Sequence, residues 1–370
     1  ADHLASPVMS TSERVAALLG EAEICRRPLS EAWSLPPALF HDPAWFDRER
    51  SALFHAGWVA VCRSAEVAAP NEFVTGSIAG EPYVVVRRRD GGLAALSNVC
   101  PHRGATVIGG AAGSAPSLQC TYHLWTFGHD GRLRAAPSMD QAEGFDMAAV
   151  CLPSFAVDEW HGFVWVNIDG DAIPLRESAP QLDALFTEHR IADVVPVGRL
   201  EYPSPWNWKI SVENFLESYH HRGVHPETLD AAFPGFQSFA PPTGDEPWSG
   251  VDHVRVDGDG EPFIALDVYP ATLIAVNRGT GMIWFRLEPT SVDHCHLVIE
   301  PYVLPELADE PGIAELYLEG LRAINDEDVV INERTAAGLR SKFAAPGRVS
   351  HLEGSPWHFR RWLLDNMEHG

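Results

Sequence analysis

Two short stretches each pair one cysteine with one histidine: Cys100-Pro101-His102 and Cys120-Thr121-Tyr122-His123. Each puts a thiolate and an imidazole on a single tight loop, so any fold carrying them must bring two loops to one point. Zinc could take the set as a Cys2His2 knot, but zinc pairs normally run Cys with Cys and His with His. Mixed arms suit a two-iron cluster, in which one iron takes both thiolates and the other both imidazoles. The spacing therefore favours a [2Fe–2S] centre of the Rieske kind over zinc. Its neutral imidazoles remove negative charge and raise the reduction potential, which suits an acceptor of electrons from a carrier. The remaining cysteines, Cys25, Cys62, Cys151 and Cys295, lack such partners and read as ordinary buried thiols.

A second concentration of ligand types lies at 213–226: Glu-Asn-Phe-Leu-Glu-Ser-Tyr-His-His-Arg-Gly-Val-His-Pro. His220 and His225 stand about 140° apart on a regular helix, too far round to share one metal. Gly223 and Pro226 let the helix break between them and bring both imidazoles to a common point. One carboxylate would then complete the two-His-one-carboxylate set of non-haem Fe(II) oxygenases, with open positions for dioxygen. Candidates stand in Asn325-Asp326-Glu327-Asp328, and His221 competes with His220 should the helix phase differ. A His-rich helix end is by itself more often a solvated cap. Its weight here comes from the cluster motif beside it.

Composition excludes several partner classes. Against 51 acidic side chains stand 27 basic ones, a net charge of −24, which disfavours nucleic acid and anionic membranes. No run reaches the eighteen or so apolar residues of a membrane span. The first residues do not read as a secretory signal, and Arg26-Arg27 lacks the apolar stretch of a twin-arginine leader. Six cysteines in 370 residues are too few for a disulfide scaffold, so a reduced, cytoplasmic protein is expected. Met9 is a candidate native start, which would leave residues 1–8 foreign to the natural chain.

The expected fold is α+β. Residues 1–54 read as a lead-in without periodicity beyond 15–19, closed by an amphipathic helix at 45–54, and packed on the catalytic domain. Residues 55–165 read as a small antiparallel β domain holding the Cys–His loops, with strands at 73–78, 83–88, 93–97, 118–120, 126–128 and 163–168. Residues 166–370 read as a larger catalytic domain, an antiparallel sheet packed by long helices in a helix-grip-like manner. Its helices are expected at 181–191, 209–220 and 313–339, and its strands at 263–274, 282–287 and 294–303. The Pro-, Gly- and Asp-rich stretch 230–259 reads as a long loop, a candidate lid.

Both constellations, in this order, resemble the catalytic α-subunit of Rieske non-haem iron oxygenases, the aromatic-ring-hydroxylating and betaine–carnitine family. The resemblance covers nearly the whole chain. Cys-x-His, seventeen residues, then Cys-x-x-His is matched in full by Cys100, His102, Cys120 and His123. Asn207-Trp208-Lys209 … Glu213-Asn214 … Glu217 … Tyr219-His220 … His225-Pro226 is similar to the family's mononuclear-iron segment, and so implies His220 and His225 as ligands. A late Glu-Asp followed by Glu333 and Gly338-Leu339 implies Asp328 as the carboxylate, with Asp326 in reserve. Glu217 takes the family's bridging position, implying a link from His123 of one subunit to the iron site of the next in a homotrimer. Asn214 and Tyr219 are implied as residues around the iron, and Lys209 as a structural residue at the start of its helix. Leu124 departs from the small residue many relatives carry there, which bears on packing over the cluster. His221-Arg222 departs from the Cys-Pro of the betaine and carnitine relatives, a difference that bears on the substrate class.

The implied enzyme is a mono- or dioxygenase. It takes O2, and electrons from NAD(P)H through a separate reductase or ferredoxin, to hydroxylate or oxidatively demethylate a small aromatic or quaternary-ammonium substrate. The cluster would pass electrons through His123 and Glu217 to Fe(II). The alternative enzyme is an aromatic-ring cis-dihydroxylating dioxygenase. Outside enzymes, a Rieske electron carrier would leave the second half of the chain unexplained, and a zinc-stabilised binding protein would be colourless. Trp206, Trp248, Phe263, Tyr269, Trp284 and Phe285 supply aromatics for a cation cage, though aromatics alternating in strands are also ordinary sheet core.

Overall fold

The computed structural model describes residues 9–256 and 262–369. The reading of residues 1–8 as foreign, and the last part of the 230–259 loop, lie outside the described residues. Contacts divide the chain into two units: Phe54–Asp193, and the residues up to Leu53 together with those from Val194 on.

In Phe54–Asp193 an antiparallel sheet runs in the order Val59–Arg63, Phe163–Asn167, Ser154–Trp160, Leu93–Ser97, Glu81–Arg87, Glu72–Ile78 and Ala112–Ser114. A second, three-stranded sheet joins Leu118–Gln119, Thr126–Phe127 and Leu133–Ala135. The space between is filled by Phe73, Val84, Val86, Leu96, Phe127 and Leu133 with the two motif cysteines, so the Cys–His loops grow out of packed core. The sequence drew the β domain's end at 165, but this unit continues to Asp193. The reason is a clasp: Trp160 Nε1 donates to Asp183 (2.9 Å), His161 Nε2 meets the same carboxylate (2.8 Å), and Arg63 donates to the Ile191 carbonyl (2.8 Å).

The other unit is built on an antiparallel sheet in the order Val195–Pro196, His294–Val303, Gly281–Ser291, Thr272–Asn277, Phe263–Val268 and Trp248–His253. Leu200–Ser204 also pairs with His294–Val303. The strand expected at 263–274 is two strands, turned at Tyr269-Pro270, and the expected loop 230–259 contains the strand Trp248–His253. The helix Ile313–Leu339 falls at its expected bounds. The helix expected at 209–220 ends at Phe215, so the break comes before His220 rather than at Gly223.

The aperiodic lead-in is a helix, Thr11–Ala22, and its signal was a capping box: Ser10 accepts from the Glu13 N–H while Glu13 accepts from the Ser10 N–H at 2.8 Å. The helix expected at 45–54 begins at Pro43, with Asp42 as cap, and loosens into a wider π-type turn over Arg50–His55. Lys209 is wholly buried, in keeping with a structural residue at the start of its helix. Its Nζ lies 2.5 Å from Glu49, whose carboxylate also accepts from Trp45 Nε1 (2.8 Å) and Trp208 Nε1 (2.9 Å). Burial pulls the Lys209 pKa down and Glu49 partly restores it. With these bonds all made, the pair ties the segment Pro43–Glu49 to the start of the helix Trp208–Phe215. Of the cysteines outside the motif, Cys25, Cys62 and Cys295 are buried as expected, whereas Cys151 is exposed at a strand margin.

Candidate functional site

The two Cys–His loops are built alike. Cys100 N–H donates to the Ala105 carbonyl (2.8 Å) and Gly104 N–H to the Cys100 carbonyl (2.9 Å). Likewise Cys120 N–H donates to the Trp125 carbonyl and Leu124 N–H to the Cys120 carbonyl, both at 2.9 Å. The fifth residue of each loop must be left-handed: Gly104 has φ 71° and Leu124 φ 60°. Glycine adopts this freely, whereas leucine is strained there by about 1–2 kcal/mol. The Leu124 side chain is 51% exposed, so it lies half in solvent rather than sealed over the loops.

These loops bring the four motif residues together. The His102 and His123 rings meet edge to face at 4.5 Å, and His102 stacks on Trp125 at 4.8 Å. Cys100 and Cys120 are buried at 2% exposure, the histidines half-buried. Burial pushes the Cys100 thiol up, and the neighbouring Cys120 adds to this. Two enclosed thiols and two half-exposed imidazoles form a donor set that would hold a Rieske [2Fe–2S] cluster.

In the other unit, His220, His225 and Asp328 converge, each offering a ligand atom within 4.8 Å of the others. His225 Nε2 lies 3.0 Å, and His220 Nε2 3.7 Å, from Asp328 Oδ1. Both imidazoles are held from behind by carboxylates. Glu217 accepts from His220 Nδ1 (2.7 Å) and from the His220 N–H (3.1 Å). Glu327 accepts from His225 Nδ1 (2.7 Å) and from Thr228 Oγ1 (2.6 Å). With Nδ1 protons thus engaged, both Nε2 atoms are left to face Asp328 and a metal. Burial alone would lower the His225 pKa, but Asp328 and Glu327 raise it above the ordinary value. A neutral imidazole pair with one carboxylate fits Fe(II).

The competing residues separate clearly. His221 is buried, its Nδ1 donating to the Phe233 carbonyl (3.1 Å) and its ring stacked on His253 at 5.1 Å. Burial, with His220 nearby, lowers its pKa to about 4. Asp326 is exposed and accepts from Tyr202 Oη (3.3 Å), since two residues along a helix turn it well away from Asp328.

Beside the histidines lies a cavity of about 550 Å³. Asn214 and Glu217 line it, but Tyr219 does not: its side chain is 61% exposed, because the chain leaves the helix after Phe215. Trp206, Phe263 and Phe285 of the expected aromatics line it too, joined by Tyr202, Phe215 and Phe233. Trp248, Tyr269 and Trp284 are core instead, and Tyr269 packs on Trp362 at 4.6 Å. Sequence reasoning held Glu327 only among the candidate carboxylates and not as the brace of His225, and it missed Thr228, His253 and Asn332. Of the missed residues none carried a signal of its own along the chain.

The chain is similar to known proteins over both of its parts. The Rieske [2Fe-2S] domain family matches residues 57–156, and the ring hydroxylating alpha subunit (catalytic domain) family residues 191–369. The carnitine monooxygenase oxygenase subunit of Acinetobacter pittii is 33% identical over 211 residues, 56% of this chain, and the matched stretch takes in 57% of that protein's length. The corresponding subunit of Escherichia coli K12 is 35% identical over 343 residues, 88% of this chain and 89% of that one. The crystal structure of the quaternary ammonium Rieske monooxygenase CntA with L-carnitine matches at a TM-score of 0.82 and 26% identity, covering 94% of this chain and 98% of that one. Naphthalene 1,2-dioxygenase from Rhodococcus shares the fold at a TM-score of 0.78 and 17% identity, covering 98% of each chain. The chain belongs to the Rieske non-haem iron oxygenases, as a catalytic α-subunit of the ring-hydroxylating type.

Proposed function

We propose that this chain is the oxygenase component of a monooxygenase that hydroxylates a small quaternary-ammonium compound next to nitrogen, so that the product loses an N-substituent. The observation that carries the reading is the cavity wall. It combines aromatic faces (Tyr202, Trp206, Phe215, Phe233, Phe263, Phe285) with the carboxylates Glu217 and Asp328. Among its described lining residues the one permanent cation, Arg278, has its charge countered by Asp252, 2.7 Å from Nη2. Aromatic faces and negative charge attract a desolvated cation. The names of the E. coli and CntA relatives point the same way. Ring dihydroxylation rests on a likeness of fold alone.

Cys100, His102, Cys120 and His123 would hold the cluster, and His220, His225 and Asp328 the iron. When bound, these groups supply single-electron transfer and O2 activation. The protein's own part is to orient and to exclude water. Glu217 and Glu327 fix both imidazoles, the apolar walls keep bulk water from the reacting carbon, and Asn214 offers an amide beside the histidines. In the balanced reaction one oxygen atom enters a C–H bond. The other leaves as water, with electrons from NAD(P)H through a reductase and protons from solvent. Glu217 is also the residue by which the iron site of one subunit would receive electrons from His123 of the partner subunit, within a homotrimer.

Substrate-dependent O2 uptake with a surrogate reductase tests this. Carnitine, choline or glycine betaine should stimulate uptake and benzoate should not; the reverse would sink the reading. Asp328→Ala should abolish turnover and mononuclear iron while leaving the cluster's visible absorbance.

A further inference from the structure

The helix Ile313–Leu339 buries three side chains, Leu321, Asn325 and Asn332. Two of the three are asparagines, poor helix formers that carry donors and acceptors into whatever covers them. A wall needed only for packing would carry leucine or isoleucine there. Asn325 meets part of its need within the helix, donating Nδ2 to the Leu321 carbonyl at 2.8 Å. Asn332 is 7% exposed, lines the cavity, and has no hydrogen-bond partner among the described residues. It stands four residues past Asp328, about 6 Å further along the helix axis and on the same side.

The opposite wall is complementary. Ser211 and Asn214 line the cavity from the helix Trp208–Phe215, which packs against the long helix. Asn214, too, has no hydrogen-bond partner among the described residues. Both amides open onto the cavity, where a ligand oxygen or water can take the hydrogen bond that no protein group takes. Arg278 bonds Asp252 through Nη2 alone, so its guanidinium joins these amides among the donors that line the cavity.

We propose that Asn332 determines substrate specificity, its Nδ2 donating to a carboxylate or hydroxyl oxygen on the substrate's tail while the quaternary nitrogen lies toward His220, His225 and Asp328. The substrate class is then an oxygen-bearing quaternary ammonium compound rather than a plain tetraalkylammonium. This rests on the functional reading above and adds a second point of attachment about one helical turn from the reacting carbon.

The test is steady-state kinetics of the holoenzyme with a surrogate reductase on γ-butyrobetaine, choline and butyltrimethylammonium. These carry a carboxylate, a hydroxyl and no oxygen respectively. Asn332→Leu should raise KM for an oxygen-bearing substrate about tenfold, the worth of one net hydrogen bond, with kcat nearly unchanged. KM for butyltrimethylammonium should stay the same or fall. Asn332→Asp keeps the shape and should harm γ-butyrobetaine more than choline, because it sets carboxylate against carboxylate. It also serves if the leucine variant does not fold, as judged by circular dichroism and cluster absorbance. Equal shifts for all three substrates, or none, would overturn the proposal. If the wild type oxidises none of them but oxidises another acid or alcohol, the quaternary-ammonium reading fails. The same variants on that compound and its analogue without the oxygen then still decide the role of Asn332.

Discussion

Glu327 shows how a single residue supports the candidate iron site without being one of its ligands. It stands outside the His220, His225 and Asp328 set, yet it holds the Nδ1 side of His225 and is itself braced by Thr228. Such carboxylate–histidine pairs fix the tautomer and make the imidazole a better donor, and losing them weakens metal binding by roughly 10–100-fold. Glu327→Gln should therefore raise the dissociation constant for Co(II), used as a probe of the iron site, by about that factor. The Co(II) ligand-field absorption should shift, and the cluster's absorbance should not. An affinity within twofold of wild type would show that Glu327 does no more than pack.

At the scale of elements, the catalytic sheet places an acid where nothing neutralises it. Asp267 on the strand Phe263–Val268 is fully buried, and burial raises its pKa well above 3.8, offset only in part by the Thr272 amide. The folded protein therefore keeps a proton that the unfolded chain loses above about pH 4. Between those two pKa values the folded state binds more protons, so stability falls as pH rises. Asp267→Asn should remove that slope and stabilise the fold by ~1–3 kcal/mol at pH 8, with little effect at pH 4. Denaturant unfolding at the two pH values measures it. Elements also show where sequence reasoning stops. The helix Ile313–Leu339 was legible because its apolar spacing is sustained over many turns. The helix Thr11–Ala22 was overlooked although a capping box opens it and Val15, Leu18 and Ala22 recur at helical spacing, because that stripe is only two turns long. The break after Phe215 was misplaced because Gly223 and Pro226 permit a break but do not require one.

For the whole molecule, the trimer reading has its own check. A variant lacking the cluster, Cys100→Ala, and a variant lacking the iron carboxylate, Asp328→Ala, should each be inactive. Co-expressed as mixed trimers, they should recover activity if electrons pass from the cluster of one subunit to the iron site of the next. Mixed trimers without activity would confine transfer to a single chain. Among the described residues no helix is long and apolar enough to cross a membrane.

The four cluster residues were legible before any fold because each Cys–His pair sits on one loop, where spacing along the chain sets spacing in space. His220 and His225 were legible for nearly the same reason. Asp328 needed the resemblance to be singled out, and its approach to His225 spans 103 residues. No local pattern encodes such a distance. The pairing of Glu327 with His225, the burial of Lys209 against Glu49, the exposure of Tyr219 and the unpaired amide of Asn332 follow from which faces the sheet and helices turn toward one another. Those faces are settled only when the elements pack, because burial and hydrogen-bond partners belong to the assembled core and not to any stretch of chain.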